Sequence, residues 1–316
     1  MTFRRILSAL CRLRREAVSG LLANVLRIEM GLRSRFSHTS TVTDDADVIV
    51  SLTTYNKRFD YVHLTIESLL CQDASCAYEL HLYIAAEDLK ECGGTIPHNI
   101  SRLRARGLKI FVLTENVKSY KKLVYAVGDS PAKTIITADD DVFYPKFFVR
   151  KLMDKAMEHA GCVVCFRGHF FSFEEDGSLA PYRNIIDRGS DDFMRTTPSL
   201  RLLPTGVSGV LYPPGSLDIM ATDSEQYLSL APSADDVWFK ISTLAKRTRC
   251  VQVEPRNIHF LSVPNSQKFS LFNSNVSESK NDEQIRKCFD RYPLLLSMIR
   301  AEYEQMPKKG AGVVLS

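Results

Sequence analysis

The chain has 316 residues and a formal net charge of +4 at pH 7, with 45 % hydrophobic and 25 % charged residues. This composition predicts a globular protein with a large core, built as one α/β domain or two smaller ones, and excludes wholesale disorder. The weak net charge gives no reason to expect a nucleic-acid partner. The eight cysteines show no Cys/His metal spacing, so we expect reduced thiols in a cytoplasmic compartment.

Residues 1–40 form a basic amphipathic segment. As a helix, this segment places apolar side chains on one stripe from Phe3 to Leu32 and most of its arginines on other faces. No apolar run approaches the ~20 residues that span a bilayer. Such a helix lies either on an anionic membrane surface or on the protein's own body with its basic face in solvent. The first alternative predicts peripheral contact with the inner face of the cytoplasmic membrane.

From residue 47 onwards, apolar runs alternate with amphipathic segments. The runs that predict buried strands are 48–52, 80–85, 108–113 and 133–138. Strands separated by helices indicate an α/β fold with a doubly wound, Rossmann-like sheet flanked by helices. Ligands of such sheets bind beyond the carboxyl ends of the strands. Residues 53–58 and 139–141 both follow predicted strands, so we expect them to face one crevice.

The second half of the chain has a less regular pattern. It predicts helices at 145–159, 235–247 and 283–304, strands at 162–167 and 250–253, and a polar connection at 174–204. A glycine-containing turn follows at 206–215. Residues 262–281 are rich in Ser and Asn, which indicates a mobile loop.

Three adjacent carboxylates, Asp139, Asp140 and Asp141, end the fourth apolar run. Each of them raises the free energy of ionising its neighbours, so a nearby positive charge would stabilise the ionised triplet. A hard divalent cation with oxygen ligands is the commonest partner of such a cluster. An acidic turn is the alternative. The position after an apolar strand and before Val-Phe-Tyr-Pro favours the metal.

A second acidic pair, Asp235 and Asp236, opens a predicted helix. Asp236 is a candidate general base that would take a proton from a hydroxyl, whereas helix capping is the alternative role of such residues. Trp238 would form a wall for a sugar or belong to the core. Gly209, in the glycine-containing turn, would allow close approach of a ligand or serve only the turn.

Further candidates lie near the strand ends. Tyr55 can stack on a nucleobase, and Arg58 can bind phosphates. The absence of GxGxxG disfavours a nicotinamide cofactor. Lys122 would contact phosphate or lie on the surface. His259 would be a further metal ligand or a structural residue.

Three motifs together resemble the GT-A glycosyltransferases, specifically the large bacterial inverting family. They are Val-Ser-Leu-Thr-Thr-Tyr-Asn-Lys-Arg at 50–58, Ile-Thr-Ala-Asp-Asp-Asp-Val-Phe-Tyr-Pro at 136–145 and Ala-Asp-Asp-Val-Trp at 234–238. The resemblance implies a DxD motif made by Asp139 and Asp141, with Asp140 between them, that holds Mn²⁺ or Mg²⁺ on a nucleoside diphosphate. It places Asp236 at the base position, preceded by Asp235 where the family usually has Glu. It also implies a GT-A type mixed sheet over residues 47–260, with a nucleotide-sugar half at 47–145 and an acceptor half at 146–260, followed by a loop and helix at 261–316.

The function that the resemblance implies is a metal-dependent hexosyl- or N-acetylhexosaminyl-transferase. It would move a sugar from a nucleotide-sugar donor, which we expect to be a UDP-sugar, to an acceptor hydroxyl with inversion. The basic N-terminal segment suggests that this acceptor is a cell-surface glycan or a lipid-linked acceptor such as lipopolysaccharide. A sugar nucleotidyltransferase and a non-catalytic glycan-binding relative remain alternatives. The predicted site comprises Asp235 and Asp236 for catalysis; Thr53, Tyr55, Arg58, Lys122, Asp139 and Asp140 for the donor; Gly209 and Trp238 for the acceptor; and Asp139, Asp141 and His259 for the metal.

Overall fold

The structure is a computed structural model that describes residues 3–187, 192–266 and 280–305. Its first half alternates strands and helices, as the spacing of the apolar runs predicts. The elements of this half are α1 (Phe3–Phe36), β1 (Val48–Thr54), α2 (Phe59–Leu69), β2 (Glu79–Ala85), α3 (Ala86–Lys90), α4 (His98–Ser101), β3 (Leu108–Leu113), α5 (Lys121–Asp129) and β4 (Thr134–Ala138).

The second half has shorter strands. Its elements are β5 (Val142–Phe143), α6 (Phe148–Glu158), β6 (Val163–Cys165), β7 (Gly168–Phe170), α7 (Tyr182–Asp187), α8 (Asp192–Arg195), β8 (Leu202–Pro204), β9 (Val210–Tyr212), α9 (Ser224–Leu230), α10 (Asp235–Ala245), β10 (Cys250–Gln252), β11 (Leu261–Ser262), α11 (Lys280–Arg291) and α12 (Pro293–Glu304). The polar connection at 174–204 therefore contains α7, α8 and β8. Most of the loop predicted at 262–281 lies outside the described residues.

The single helix predicted at 283–304 is wrong, because the chain breaks between α11 and α12. Pro293 has no backbone N–H to donate and disfavours helical conformation in the residue before it. Tyr292 accordingly leaves the helical region, with φ −127° and ψ 64°. Pro293 then occupies the first turn of α12, where a missing N–H has no consequence.

The central sheet is mixed and has seven strands in the order β10-β6-β9-β4-β1-β2-β3. β1 pairs in parallel with β2 and β4, and β2 with β3. β9 is antiparallel to both β4 and β6. The predicted doubly wound mixed sheet is thus confirmed.

Helices cover both faces of this sheet because its central strands are apolar on both faces. Along β1, Ile49 belongs to one core cluster, together with Leu123 of α5 and Trp238 of α10. Its neighbour Val50 belongs to a second cluster, with Val62 of α2 and other residues of α2 and α6. Successive strand residues point to opposite faces, so an uninterrupted Val/Ile run fills both layers.

The register of β1 and β4 determines where the predicted site lies. Leu52 pairs with Ala138, so the two strands end at the same edge of the sheet. The 3₁₀-helix Asn56–Arg58 follows β1, and residues 139–141 follow β4. β6 runs in the same direction as β4, because both are antiparallel to β9, and its carboxyl end therefore faces the same edge.

The predicted N-terminal helix is α1, and part of it docks on the body. Met30 packs with Leu64, Phe143 and Val263, and Arg33 Nε lies 3.4 Å from Glu67 Oε1. Among the helices of the described ranges, none is long and apolar enough to cross a membrane.

Candidate active site

Arg58 joins the two acidic residues at the end of the triplet to the segment that follows β1. One guanidinium nitrogen, Nη1, donates to Asp140 Oδ1, and Nη2 lies 3.0 Å from Asp141 Oδ2. Thr54 Oγ1 donates to the second oxygen of Asp140 at 2.7 Å, and Thr65 Oγ1 donates to the Asp140 carbonyl at 3.0 Å. Both oxygens of the buried Asp140 therefore accept hydrogen bonds from the protein, so its carboxylate anchors the loop. Its role in donor binding stays a prediction.

The first carboxylate of the triplet points toward a different cation. Asp139 Oδ1 accepts a hydrogen bond from Lys122 Nζ at 2.8 Å, and the same ammonium lies 3.2 Å from Asp235 Oδ2. Burial lowers the pKa of Lys122, but the carboxylates of Asp139, Asp235 and Asp236 outweigh it and raise that pKa well above its ordinary value. Lys122 is therefore a buried ammonium and not the solvated surface lysine of the alternative interpretation.

Asp236 lies in the first turn of α10, beside the turn that leads into β9. The backbone N–H of Gly206 donates to both carboxylate oxygens, at 3.1 Å each. Burial, and after it the charge of Asp235, raise the pKa of Asp236 to about 7. The residue nevertheless keeps some exposure to solvent. A partly exposed carboxyl with a pKa near neutrality is suited to general-base work.

A side chain at Gly206 would crowd the charged groups of the site. A Cβ there would lie 2.9 Å from Lys122 Nζ and 3.2 Å from Asp236 Oδ1. The absence of a side chain thus lets the backbone approach the carboxylates and donate to Asp236. The sequence signal for this contact was the glycine-containing turn, for which we considered the close approach of a ligand or a role in the turn only.

Sequence reasoning missed a group of basic side chains beyond Asp236. Arg167, just after β6, donates through Nη1 to Thr205 Oγ1 at 2.6 Å and through Nε to His259 Nε2 at 3.4 Å. Burial lowers the pKa of His169 to about 3, with smaller contributions from Arg167 and Arg195. The signal was available, because Arg167 ends an apolar run as Asp139 does.

His259 is placed with these basic residues. Burial, and after it the charge of Arg167, lower the pKa of His259, and Arg167 donates to its Nε2. In the part of the chain that the structure describes, no three or more His, Cys, Asp or Glu side chains are gathered to hold a metal ion. The role of His259 as a metal ligand stays a prediction.

The two residues predicted to bind the acceptor have structural roles. Trp238 is fully buried, and its indole N–H donates to the Ala221 carbonyl at 3.3 Å, so it cannot stack on a sugar. Gly209 has φ +88°, and a Cβ on it would lie 2.3 Å from Phe148 Cε2. The packing of α6 against the sheet therefore requires this glycine. The prediction for Trp238 is corrected, and the acceptor role of Gly209 stays a prediction.

The predicted nucleotide-binding segment after β1 contains Thr53 and Tyr55, whose side chains have different surroundings. Thr53 Oγ1 donates to the Tyr83 carbonyl at 2.9 Å, so its hydroxyl serves the sheet. Tyr55 is half-buried, and its ring centre lies 5.7 Å from the guanidinium carbon of Arg58. Tyr55 thus places an aromatic ring at this edge of the sheet, in contact with Arg58.

Asp139 and Asp141 are the residues of the triplet whose carboxylates could hold a divalent ion shared with a phosphate ligand. Mg²⁺ and similar hard ions are commonly held by one or two carboxylates plus substrate phosphates. Asp139 and Asp141 supply two such carboxylates, and the Asp139 side chain is 27 % exposed. Lys122 lies beside Asp139 and Arg58 lies beside Asp141, so each of these two carboxylates has a positively charged neighbour.

Comparison with known proteins shows the fold. No protein-family model and no curated protein matches the sequence. The mannosyltransferase PcManGT from Pyrobaculum calidifontis, in complex with GDP-Man and Mn²⁺, matches with a TM-score of 0.50 and 10 % identity over 91 % of this chain and 79 % of that chain. This likeness shows that the chain has the GT-A-type glycosyltransferase fold.

Structures of S. aureus TarS are also among the matches. S. aureus TarS 1–349 has a TM-score of 0.42 and 16 % identity over 67 % of this chain and 59 % of that chain. Its complex with UDP-GlcNAc has a TM-score of 0.39 and 15 % identity over 62 % of this chain and 53 % of that chain. The chain thus spans little more than half of TarS 1–349.

Proposed function

We propose that this protein is a metal-dependent glycosyltransferase that moves a sugar from a nucleotide-sugar donor to a hydroxyl of a glycan or lipid-linked acceptor, with inversion. One observation carries the proposal. Carboxylates from distant parts of the chain, Asp139 after β4 and Asp235 and Asp236 in α10, meet around the ammonium of Lys122. They do so at the carboxyl edge of the sheet, where folds of this class bind ligands.

The donor end of the site is formed by the triplet and the segment after β1. Asp139 and Asp141 would hold Mn²⁺ or Mg²⁺, which supplies positive charge to the departing diphosphate. Tyr55 offers a face for the nucleobase, and Arg58 holds Asp141 in place through its 3.0 Å contact. The GDP-Man and Mn²⁺ bound by the mannosyltransferase of similar fold support a nucleotide-sugar and a divalent ion here.

The acceptor end is built around Asp236. Its carboxylate takes the proton of the acceptor hydroxyl while the hydroxyl oxygen forms a bond to the anomeric carbon of the donor. The bond from that carbon to the diphosphate breaks, and its electron pair leaves with the diphosphate. The Gly206 N–H orients both oxygens of the base. Lys122 and Arg167 keep cationic charge at this edge, which favours the anionic leaving group.

The first experiment tests the donor and the metal together. We expect UDP or GDP to raise the thermal unfolding midpoint only when Mn²⁺ is present. Asp141→Asn should abolish this shift, whereas Asp290→Asn, at an exposed position of α11, should leave it intact. A shift of the same size in Asp141→Asn, or one that needs no metal, would contradict the metal assignment.

The second experiment tests the chemistry with water as the acceptor. UDP-N-acetylglucosamine, UDP-glucose and GDP-mannose are incubated with the protein, and released nucleoside diphosphate is measured. Asp236→Asn should slow release by about 10²–10⁴-fold and leave the nucleotide-dependent thermal shift unchanged. Pyrophosphate release from a nucleoside triphosphate and a sugar phosphate would instead identify a nucleotidyltransferase. Binding without any turnover would identify a glycan-binding relative.

A further inference from the structure

The face of α1 that is turned away from the body is apolar. Side chains spaced three or four residues apart form one stripe along it, and each is 50 to 71 % exposed. The stripe consists of Leu21, Leu22, Val25, Ile28, Leu32 and Phe36. The buried residues of the same helix, Ala23, Met30 and Ser34, lie on the opposite side and contact the body. Docking on the protein's own body therefore accounts for only one face of α1. The apolar stripe on the other face has no partner among the described residues.

The charge of α1 differs from that of the rest of the chain. Its sequence contains eight Arg and two Glu, a net charge of +6, whereas the whole chain carries +4. The remainder of the protein is therefore slightly acidic, and α1 is a cationic element on a nearly neutral body. A long helix with an exposed apolar stripe and a strong positive charge has the character of helices that lie in an anionic membrane interface.

A cationic cavity of about 410 Å³ opens beside the stripe, between α1 and the α2–α4 region. Arg27, Arg35 and Arg102 line it, and the apolar stripe residues Ile28 and Leu32 form part of its wall. Arg102 Nη2 donates to Ser34 Oγ at 2.7 Å, and its buried Nε has no hydrogen-bond partner in the described part of the protein. The cavity thus offers guanidinium groups to an anion next to an apolar surface.

The electrostatics of the cavity also point to an anionic ligand. Burial, and after it the charge of Arg102, lower the pKa of His63 to about 4. Burial, and after it the charge of Arg35, lower the pKa of Arg102. Cationic groups that disfavour each other's charge in this way are stabilised when a phosphate enters among them. Asp60 is the acidic residue that lines this cavity.

We propose that α1 binds the surface of an anionic phospholipid bilayer, with its apolar stripe among the acyl chains and a lipid phosphate in the cavity of Arg27, Arg35 and Arg102. A second copy of the chain is a poorer occupant of the stripe. Pairing two α1 helices would bring two charges of +6 together without an acidic partner, which is repulsive.

Co-sedimentation of the full chain with vesicles tests this proposal. Vesicles of phosphatidylcholine and phosphatidylglycerol in equal amounts should bind the protein at least about tenfold more tightly than vesicles of phosphatidylcholine alone. Added salt should weaken the binding. Equal binding to both vesicle types, or no binding to either, would overturn the proposal.

Two sets of variants separate the stripe from the cavity. Leu21→Glu with Val25→Glu and Ile28→Glu should abolish vesicle binding, and Arg27→Glu with Arg35→Glu should remove the preference for phosphatidylglycerol. Ile219→Glu and Leu294→Glu, at apolar residues that are 90 and 78 % exposed elsewhere, should change neither. The thermal unfolding midpoint of each variant reports folding. A concentration-dependent dimer that the stripe variant dissociates, without vesicle binding by the unaltered chain, would identify a second copy as the partner.

Discussion

Lys122 Nζ lies 2.8 Å from Asp139 Oδ1, so a buried ammonium links the acidic triplet after β4 to the helix that carries the candidate base. The link joins the two ends of the proposed transfer site. A change in the charge of Asp139 therefore changes the electrostatic environment of Asp235 and Asp236, because Lys122 interacts with all three carboxylates. The donor and acceptor halves are coupled through one side chain.

The pKa of Asp236, raised to about 7, predicts how activity depends on pH. A general base must be ionised, so kcat/KM for donor hydrolysis should rise with pH through neutrality and then level off. The effect of rising pH on the stability of the fold has the opposite sign. The unfolded chain has a lower pKa of about 3.9 at this residue, so ionisation of Asp236 above that value destabilises the folded state. Asp236→Asn should therefore lose activity yet unfold at a higher temperature than the unaltered protein when both are compared above neutrality. A rate profile that is flat through neutrality would contradict this assignment.

Removing the ammonium should raise the pKa of the base further. Lys122→Met leaves Asp139, Asp235 and Asp236 without their shared cation, so the midpoint of the pH–rate profile should move to higher pH. The free energy of unfolding should fall by about 3–5 kcal/mol, as when one member of a buried ion pair is removed. Lys121→Met is the matched control, because Lys121 is equally buried but contacts Asp88 and Asn116. It should destabilise the protein without moving the midpoint.

Arg58 should be required for folding more than any exposed arginine. Arg58→Met removes the cation that faces the buried carboxylates of Asp140 and Asp141, and we expect a loss of about 3–5 kcal/mol in the free energy of unfolding. Arg150 pairs with Asp73, and both side chains are largely exposed, at 45 and 67 %. Arg150→Met should therefore change stability by no more than about 1 kcal/mol. Urea denaturation measures both, and equal effects would contradict the anchoring role of Arg58.

The sequence was sufficient to predict the position of a residue where that position follows from the end of a single strand. β1 and β4 are short apolar runs, and their ends are marked by Tyr55 to Arg58 and by the triplet. Parallel pairing then brings these ends to one edge of the sheet. The helical spacing of α10 also predicts the direction of the Trp238 side chain. Residues two positions apart in a helix point to nearly opposite sides, so Asp236 facing the crevice already directs Trp238 into the core.

Contacts that depend on tertiary neighbours could not be predicted in this way. Asp139, Asp140 and Asp141 look alike in the sequence, yet Lys122 holds the first and Arg58 holds the other two. Arg167 could be noticed at the end of an apolar run, but its place at the site depends on β9 lying between β4 and β6. Nothing local to β6 encodes that strand order.

Gly209 gives the clearest packing prediction. With φ +88°, and with a Cβ that would lie 2.3 Å from Phe148 Cε2, Gly209→Ala combines backbone strain with overpacking and should lower the free energy of unfolding by at least about 2 kcal/mol. Gly128 lies near the end of α5 with nothing within 4 Å of the position of a Cβ, so Gly128→Ala should be neutral or stabilise by up to about 1 kcal/mol. Chemical denaturation of the two variants at one pH separates these effects. If Gly209→Ala proved as stable as Gly128→Ala, the close contact between this turn and α6 would be wrong.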